Sequence, residues 1–192
     1  MLDAAFPLDH YRALELNGDG RPKIVDPLST LSWQDAIKGV LSDKYSVMAE
    51  YDVSVRSPST IIRLPSVVMA REYVNLENRP AAWTRWNVML AYGFRCAYCN
   101  GKFPTKELTY DHIIPKSRGG GSGWKNIITA CVTCNAKKGN RTPSEAGMPL
   151  LFEAKHPTQA KLNAKAMSFL RERKDIHRDW IDFLYWDGDL IE

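Results

Sequence analysis

Residues 96–139 decide how this 192-residue chain is interpreted: CAYCNGKFPTKELTYDHIIPKSRGGGSGWKNIITACVTCNAKKG. The stretch contains two C-x2-C pairs, which together hold all four cysteines of the chain, Cys96, Cys99, Cys131 and Cys134. Two pairs of this kind form two knuckles whose thiolates close a tetrahedron around one soft cation, most often zinc. The segment between the pairs is longer than the usual spacing of a short zinc ribbon. We therefore expect a structural zinc site with a further structure built between its two halves.

Other uses of the four cysteines are less well supported. Residues 1–30 carry Asp3, Asp9, Glu15 and Asp19 and no apolar core of a signal peptide, so we expect a cytoplasmic protein, in which a disulfide framework is disfavoured. A thioredoxin-like redox motif needs only one of the two pairs and leaves the other unexplained. A rubredoxin-like iron site uses the same four ligands, and the sequence leaves that alternative open.

The segment between the knuckles has the composition of a β-hairpin followed by a helix. Leu108–Ile114 is predicted to be a strand that ends at Pro115, and Ile127–Ala130 suits a second strand. Val132 to about Lys138 suits a short helix closed by Gly139. One knuckle precedes the first strand and the other lies at the entry to the helix. We therefore expect zinc to clamp the hairpin to the helix.

The positive charge of the chain is concentrated in the same quarter of the sequence. Hydrophobic residues at 44% and charged residues at 25% are those of an average soluble globular protein, which argues against extensive disorder and against a membrane protein. The net charge is only +4, but residues 95–141 hold nine lysines and arginines against two acidic residues. Such a surplus is expected of a surface that binds a polyanion. From charge alone, a solvated lysine-rich loop surface fits equally well.

The sequence on either side suggests a division into residues 1–80, an N-terminal α+β region, 81–148, the central module, and 149–192, a C-terminal helical extension. In the first part we predict strands at Ala13–Asn17, Tyr45–Tyr51 and Thr60–Leu64, with Pro65 punctuating the last of them. The S-x-x-D signature at Ser32 predicts the start of a helix.

Helices are predicted around and after the central module. Thr84 should cap a helix from Arg85 to Tyr92, and Pro157 should begin one that runs to about Arg173. The aromatic stretch Trp180–Trp186 has the composition of core packing, although such side chains also stack on bases. Three further histidines have no partner at a ligand-like spacing and are expected at the surface: His10, His156 and His177.

With these motifs in place, the sequence resembles the HNH (His-Me finger) endonuclease family in its four-cysteine, zinc-containing form. The family pattern is C-x2-C, D-H-x-x-P with S-x-G-G, a downstream N, and C-x2-C-N-x-x-K-G, and all of it is present in order within residues 94–148. The stretches around residues 32–37 and 56–59 are less specifically similar to sequence that flanks bacterial HNH modules. The resemblance implies an α+β fold: a zinc-stapled ββα-metal nuclease module with an N-terminal βα region and C-terminal helices.

The resemblance also implies roles for four residues. His112 would deprotonate the attacking water, a task suited to an imidazole with a pKa near 6.5. Asp111 and Asn135 offer hard oxygen ligands for one Mg²⁺ or Mn²⁺, and many family members carry histidine in place of Asn135. Asn126 would brace the loop and orient His112. Adjacent residues on a strand point to opposite faces, so a bulge or twist would have to bring Asp111 and His112 to one phosphate.

The expected activity is metal-dependent hydrolysis of DNA phosphodiester bonds that leaves 5′-phosphate and 3′-hydroxyl ends. Five basic residues are candidate phosphate contacts: Lys116, Arg118, Lys137, Lys138 and Arg141. One nuclease site cuts one strand, so double-strand breaks would require a homodimer or sequential nicks. Two alternatives remain: a zinc-stapled DNA-binding module without catalysis, and an iron tetrathiolate electron carrier.

Overall fold

The computed structural model describes residues 7–170, 173 and 176–184. Contacts divide the chain into two compact units, the first made of residues up to Asn75 together with those from Phe169 onward, and the second of Leu76–Ser168. Residues 149–168 therefore group with the cysteine-containing segment, whereas the sequence suggested a separate extension from residue 149. Among the described residues, no helix has both the length and the apolar composition needed to cross a bilayer.

The first unit is built on a four-stranded mixed sheet with the order β2-β1-β4-β3. Its strands are β1 (Arg12–Leu16), β2 (Thr30–Ser32), β3 (Tyr45–Arg56) and β4 (Ile61–Ala70). β1 pairs antiparallel with β2 and parallel with β4, and β3 pairs antiparallel with β4. Four of the five residues of β1 are buried because this strand lies inside the sheet.

Helix α1 (Trp33–Leu41) follows β2 directly and confirms the predicted capping signature. The Asp35 backbone N–H donates to Ser32 Oγ over 3.1 Å, and Ser32 Oγ in turn donates to the Asp35 carboxylate over 2.7 Å. Glycine is required at position 39 because a Cβ there would come within 2.2 Å of the Tyr45 ring. This close approach joins α1 to the core cluster of Ala13, Ala36, Tyr45, Val68 and Ala70.

The strand predicted to stop before Pro65 continues through it. β4 runs five residues beyond Pro65 to Ala70, and its buried part, including Val67 and Val68, pairs with β1. Proline lacks an N–H for the ladder and is tolerated in a sheet at bulges. Pro65 lies opposite Glu50, where the register of the β3–β4 pair shifts on both sides. The prediction that the strand ends at Pro65 is therefore wrong, because the irregular pairing with β3 allows the strand to continue through the proline.

The second unit contains the hairpin and helix predicted between the cysteine pairs. Its elements are α2 (Arg85–Ala91), β5 (Leu108–His112), β6 (Ile127–Cys131), α3 (Val132–Lys138) and most of α4 (Gln159–Leu170). β5 and β6 form an antiparallel pair without a register shift. Thr84 caps α2 by accepting from the Asn87 backbone N–H over 3.1 Å, as predicted.

The C-terminal part of the described chain contains a short 3-10 turn, Arg178–Trp180, and α5 (Ile181–Leu184). Trp180 is tied to the first unit by its indole N–H, which donates to the Ser66 carbonyl over 2.8 Å. Tyr185 and Trp186 of the predicted aromatic stretch lie outside the described residues. The α+β class predicted from the sequence is confirmed.

Candidate active site and cysteine cluster

The four cysteines converge in the second unit. Cys96 and Cys99 precede β5, Cys131 is the last residue of β6, and Cys134 lies in α3. Their sulfur atoms all lie within 4.8 Å of one another. Sulfurs that surround a zinc ion at about 2.3 Å are separated by roughly 3.8 Å in a tetrahedron, so a small contraction would complete the site. The cluster therefore fits one tetrahedral metal ion.

Backbone donors stabilise thiolates at this cluster. The Tyr98 N–H points to Cys96 Sγ and the Cys134 N–H to Cys131 Sγ, each over 3.4 Å. Burial opposes the ionisation of Cys96, but backbone hydrogen bonds outweigh it and lower the pKa of this thiol to about 7. Burial raises the pKa of the Cys134 thiol, and the neighbouring sulfurs raise it further. A bound metal ion would offset the repulsion between neighbouring thiolates, because it binds all four cysteines in their deprotonated form.

Strand β5 separates two groups of candidate residues. Because side chains alternate along a strand, Thr109 and Asp111 face one side, whereas Tyr110 and His112 face the other. The regular pairing of Asp111 with Ile128 and of His112 with Ile127 shows that no bulge reorients them. The sequence analysis required a bulge or a twist to bring both side chains to one phosphate; the regular ladder excludes the bulge and leaves the twist at the end of β5.

The Asp111 carboxylate is buried and engaged at both oxygens. The Lys138 ammonium donates to Oδ1 over 2.8 Å, and the Tyr98 hydroxyl donates to Oδ2. Lys138 also donates to the backbone carbonyl of His112 over 2.9 Å. The Lys138 side chain is only 1% exposed. The expectation that Lys138 contacts DNA phosphates is therefore corrected, because its charge is used inside the module.

Asn135 lies on the same side of β5 as Asp111. Its amide Nδ2 donates to Thr109 Oγ1 over 2.8 Å, and it precedes Lys138 by three residues on α3, which places both on one helix face. A carboxylate and an amide oxygen are a suitable donor set for Mg²⁺ or Mn²⁺. Asp111 and Asn135 therefore fit a hard divalent cation in their ligand atoms and in their shared side of β5. In the structure, the Asp111 carboxylate is paired with the Lys138 ammonium.

His112 ends β5 on the opposite side and is partly exposed. Its Nε2 lies 3.0 Å from the Ser122 hydroxyl. Partial burial lowers its pKa below the usual 6.5, and the positive charges of Lys116 and Lys138 add to this effect against the opposing charge of Asp111. The imidazole is consequently neutral at pH 7, the form that can accept a proton.

Asn126 fixes the loop that follows His112. Its Oδ1 accepts from the Ile114 N–H over 2.8 Å, and its Nδ2 donates to the carbonyls of Ile114 and Gly121 over 3.0 and 2.9 Å. Gly120 allows the loop to close, because a Cβ at this position would come within 1.7 Å of the Ile114 carbonyl oxygen. Asn126 therefore contacts the backbone on both sides of the Lys116–Arg118 turn and does not itself reach His112 through a hydrogen bond.

The remaining basic candidates differ in whether their side chains are already engaged by groups of the protein. Lys116 and Lys137 are exposed, and neither has an ion-pair partner among the described residues. Arg118 donates twice to Glu145 over 2.7 Å. Arg141 donates to the carbonyls of Lys137 and Lys138 and thereby caps the C-terminus of α3. Lys116 and Lys137 are thus the two candidates least committed to the protein itself.

Some residues near the site were not singled out from the sequence. Tyr98 lies inside the first knuckle, and nothing in its spacing indicates that its hydroxyl reaches Asp111. An aromatic group adjoins Tyr110, which shares the His112 face: the Trp83 ring centre lies 6.0 Å from that of Tyr110, and the Arg85 guanidinium lies 5.4 Å from it.

The three histidines predicted at the surface, His10, His156 and His177, are exposed.

Comparison with known proteins agrees with the geometry of the second unit. The family model for HNH endonucleases matches residues 96–151, and the model for the N-terminal domain associated with HNH endonucleases matches residues 13–78. A CRISPR-associated endonuclease Cas9 of Corynebacterium diphtheriae is 27% identical over 73 residues, which are 36% of this chain and 7% of that protein. The chain therefore spans only a small part of the length of that relative. The segment that holds the clustered cysteines therefore matches HNH endonucleases, and the segment before it matches a domain associated with them.

Proposed function

We propose that this protein is a metal-dependent endonuclease that hydrolyses phosphodiester bonds of DNA, with His112 as the general base. The observation that carries the proposal is the state of His112. Its imidazole is partly exposed and has a lowered pKa, at the end of a hairpin joined to its helix by the cysteine cluster. A neutral, accessible imidazole can take the proton of an attacking water at physiological pH.

The proposal assigns the other site residues as follows. Asp111 and Asn135 would hold one Mg²⁺ or Mn²⁺, which when bound would stabilise the charge that develops on the phosphate and the leaving oxygen. The four cysteines would hold a structural zinc ion. Asn126 keeps the backbone after His112 in place, and Ser122 restricts the imidazole through its hydroxyl.

DNA as the substrate is supported by the family and by the charge of the module. Lys116 and Lys137 are exposed cations close in sequence to the site residues. Lys116 follows His112 by four residues, and Lys137 lies on α3 next to Lys138. Each can neutralise a phosphate without breaking an ion pair described in the structure. One such site would cut one strand, so the expected primary product is a nick.

A plasmid-nicking assay tests the proposal directly. Supercoiled DNA should become open-circular with Mg²⁺ or Mn²⁺ and stay intact with EDTA. The alternative function, a zinc-stapled DNA-binding module without catalysis, predicts retarded DNA in a gel-shift assay and no nicked product with either cation. A red protein with iron bound to the cysteines would instead favour the electron carrier.

A further inference from the structure

Lys138 is the most completely buried charged side chain described in the second unit, and its partners are those of the proposed cation site. Lysine is almost never fully buried unless it is paired. Here the ammonium contacts Asp111 Oδ1 at 2.8 Å and the His112 carbonyl at 2.9 Å, with 1% of the side chain exposed. A single positive charge therefore compensates the carboxylate that is expected to bind a divalent cation.

Each oxygen of that carboxylate already accepts a hydrogen bond, since Tyr98 donates to Oδ2 and Lys138 to Oδ1. A divalent cation on Asp111 would face the Lys138 ammonium across a buried space of low effective dielectric constant, where like charges repel strongly. Helix α3 is fixed against β5 by Asn135, whose Nδ2 donates to Thr109 Oγ1 over 2.8 Å. Relief of the repulsion must therefore come from the flexible lysine side chain and not from the helix.

We propose that Lys138 is the resident counter-cation of Asp111 and that a divalent cation binds this carboxylate by displacing the Lys138 ammonium. Lys138 is then a positioning residue that sets the metal affinity of the site. Its displacement also removes one hydrogen bond from the His112 carbonyl, at the end of β5 that carries the general base. The inference depends on the proposed function, because it assumes that Asp111 is a metal ligand.

The first test compares Mn²⁺ affinity in two lysine variants of the zinc-loaded protein, measured from the electron paramagnetic resonance signal of free Mn²⁺ in chelator-free buffer. Lys138→Met removes the buried competitor, so Mn²⁺ should bind at least about tenfold more tightly. Lys137→Met removes an exposed charge at the neighbouring position and should change the affinity by less than about threefold. Equal effects of the two substitutions, or weaker binding to Lys138→Met, would overturn the inference.

Thermal melting of the same variants gives a second readout that does not depend on activity. Lys138→Met leaves Asp111 without a counter-charge, so its melting temperature should be low without divalent cations and should rise steeply as Mg²⁺ is added. The wild type should gain much less, because its own ammonium already compensates the carboxylate. A Mg²⁺-induced increase in melting temperature no larger than that of the wild type would contradict displacement.

Wild-type protein supplies a direct measurement even where Lys138→Met does not fold. The buried ammonium, held by two acceptors, should give a slowly exchanging ¹⁵Nζ resonance without divalent cations, and Mg²⁺ should abolish or move it. An unchanged resonance with Mg²⁺ bound at Asp111 would disprove displacement while leaving the nuclease proposal intact. If Asp111→Ala and wild type bind Mn²⁺ identically, Asp111 is not a ligand, and both the inference and the proposed metal site are wrong.

Discussion

His112 is the residue on which the proposed chemistry depends. Replacement by alanine removes the proton acceptor but leaves the cysteine cluster, Asp111 and Asn135 in place. Cleavage should fall by about 10²–10⁴, the range typical of general-base catalysis, while DNA affinity and the melting temperature are retained. The nicking rate, with the exposed His10→Ala as the matched control, measures the effect. Cleavage by His112→Ala at the wild-type rate would exclude His112 as the base.

The pH profile of cleavage gives a second prediction at the residue scale. The neutral imidazole is the active form, so the rate should fall as the pH drops through the pKa of His112. Burial lowers the pKa of His112, and the positive charges of Lys116 and Lys138 lower it further, whereas the negative charge of Asp111 raises it. Lys116→Ala should therefore raise the pKa of His112 and shift the acid limb to higher pH. Lys155→Ala, which removes a charge paired with Glu153, is the control, and an unshifted limb in Lys116→Ala would contradict the assignment.

Single residues also show how far the sequence could predict the site. The cysteines were predictable because metal-ligand spacing is local, and the structure brings them together as expected. The network of Tyr98, Asp111 and Lys138 was not, because it joins residues 13 and 27 positions apart through side chains whose spacing carries no signal. The sequence marked Lys138 as basic, and only the fold shows that this charge is internal.

At the scale of elements, the hairpin and α3 are too small to supply a large core of their own. We therefore expect the cysteine cluster to contribute much of the stability of residues 94–141, since structural zinc contributes an apparent ~10–16 kcal/mol to small modules at neutral pH. Cys131→Ser should lose the metal and melt this segment, and elemental analysis of the wild type should give about one zinc per chain. The neighbouring exposed Val132→Ala should retain both metal and stability. Retention of zinc and of the wild-type melting temperature by Cys131→Ser would refute this role.

Elements were predicted best where local chemistry sets their limits. The caps at Ser32 and Thr84 are satisfied within three residues, and both helices begin where these side chains indicate. The second half of β4 was missed because its limit depends on the partner strand: the shifted register opposite Pro65 accommodates a residue that would otherwise end a strand. Pairing with β1 then buries Val67 and Val68, a contact that local sequence cannot specify.

At the scale of the whole molecule, the small net charge of +4 conceals a basic segment on which DNA binding is expected to depend. Affinity should fall steeply with salt, because each neutralised phosphate releases counterions at a log–log slope of roughly −0.9. Lys116 and Lys137 are the exposed candidates, so replacement of both by alanine should flatten the slope by up to about two units and leave the zinc content unchanged. Replacement of Arg118, which is paired with Glu145, should change the slope less. An unchanged slope in the double variant would show that this face of the module does not contact the duplex, and that the basic surplus serves another purpose.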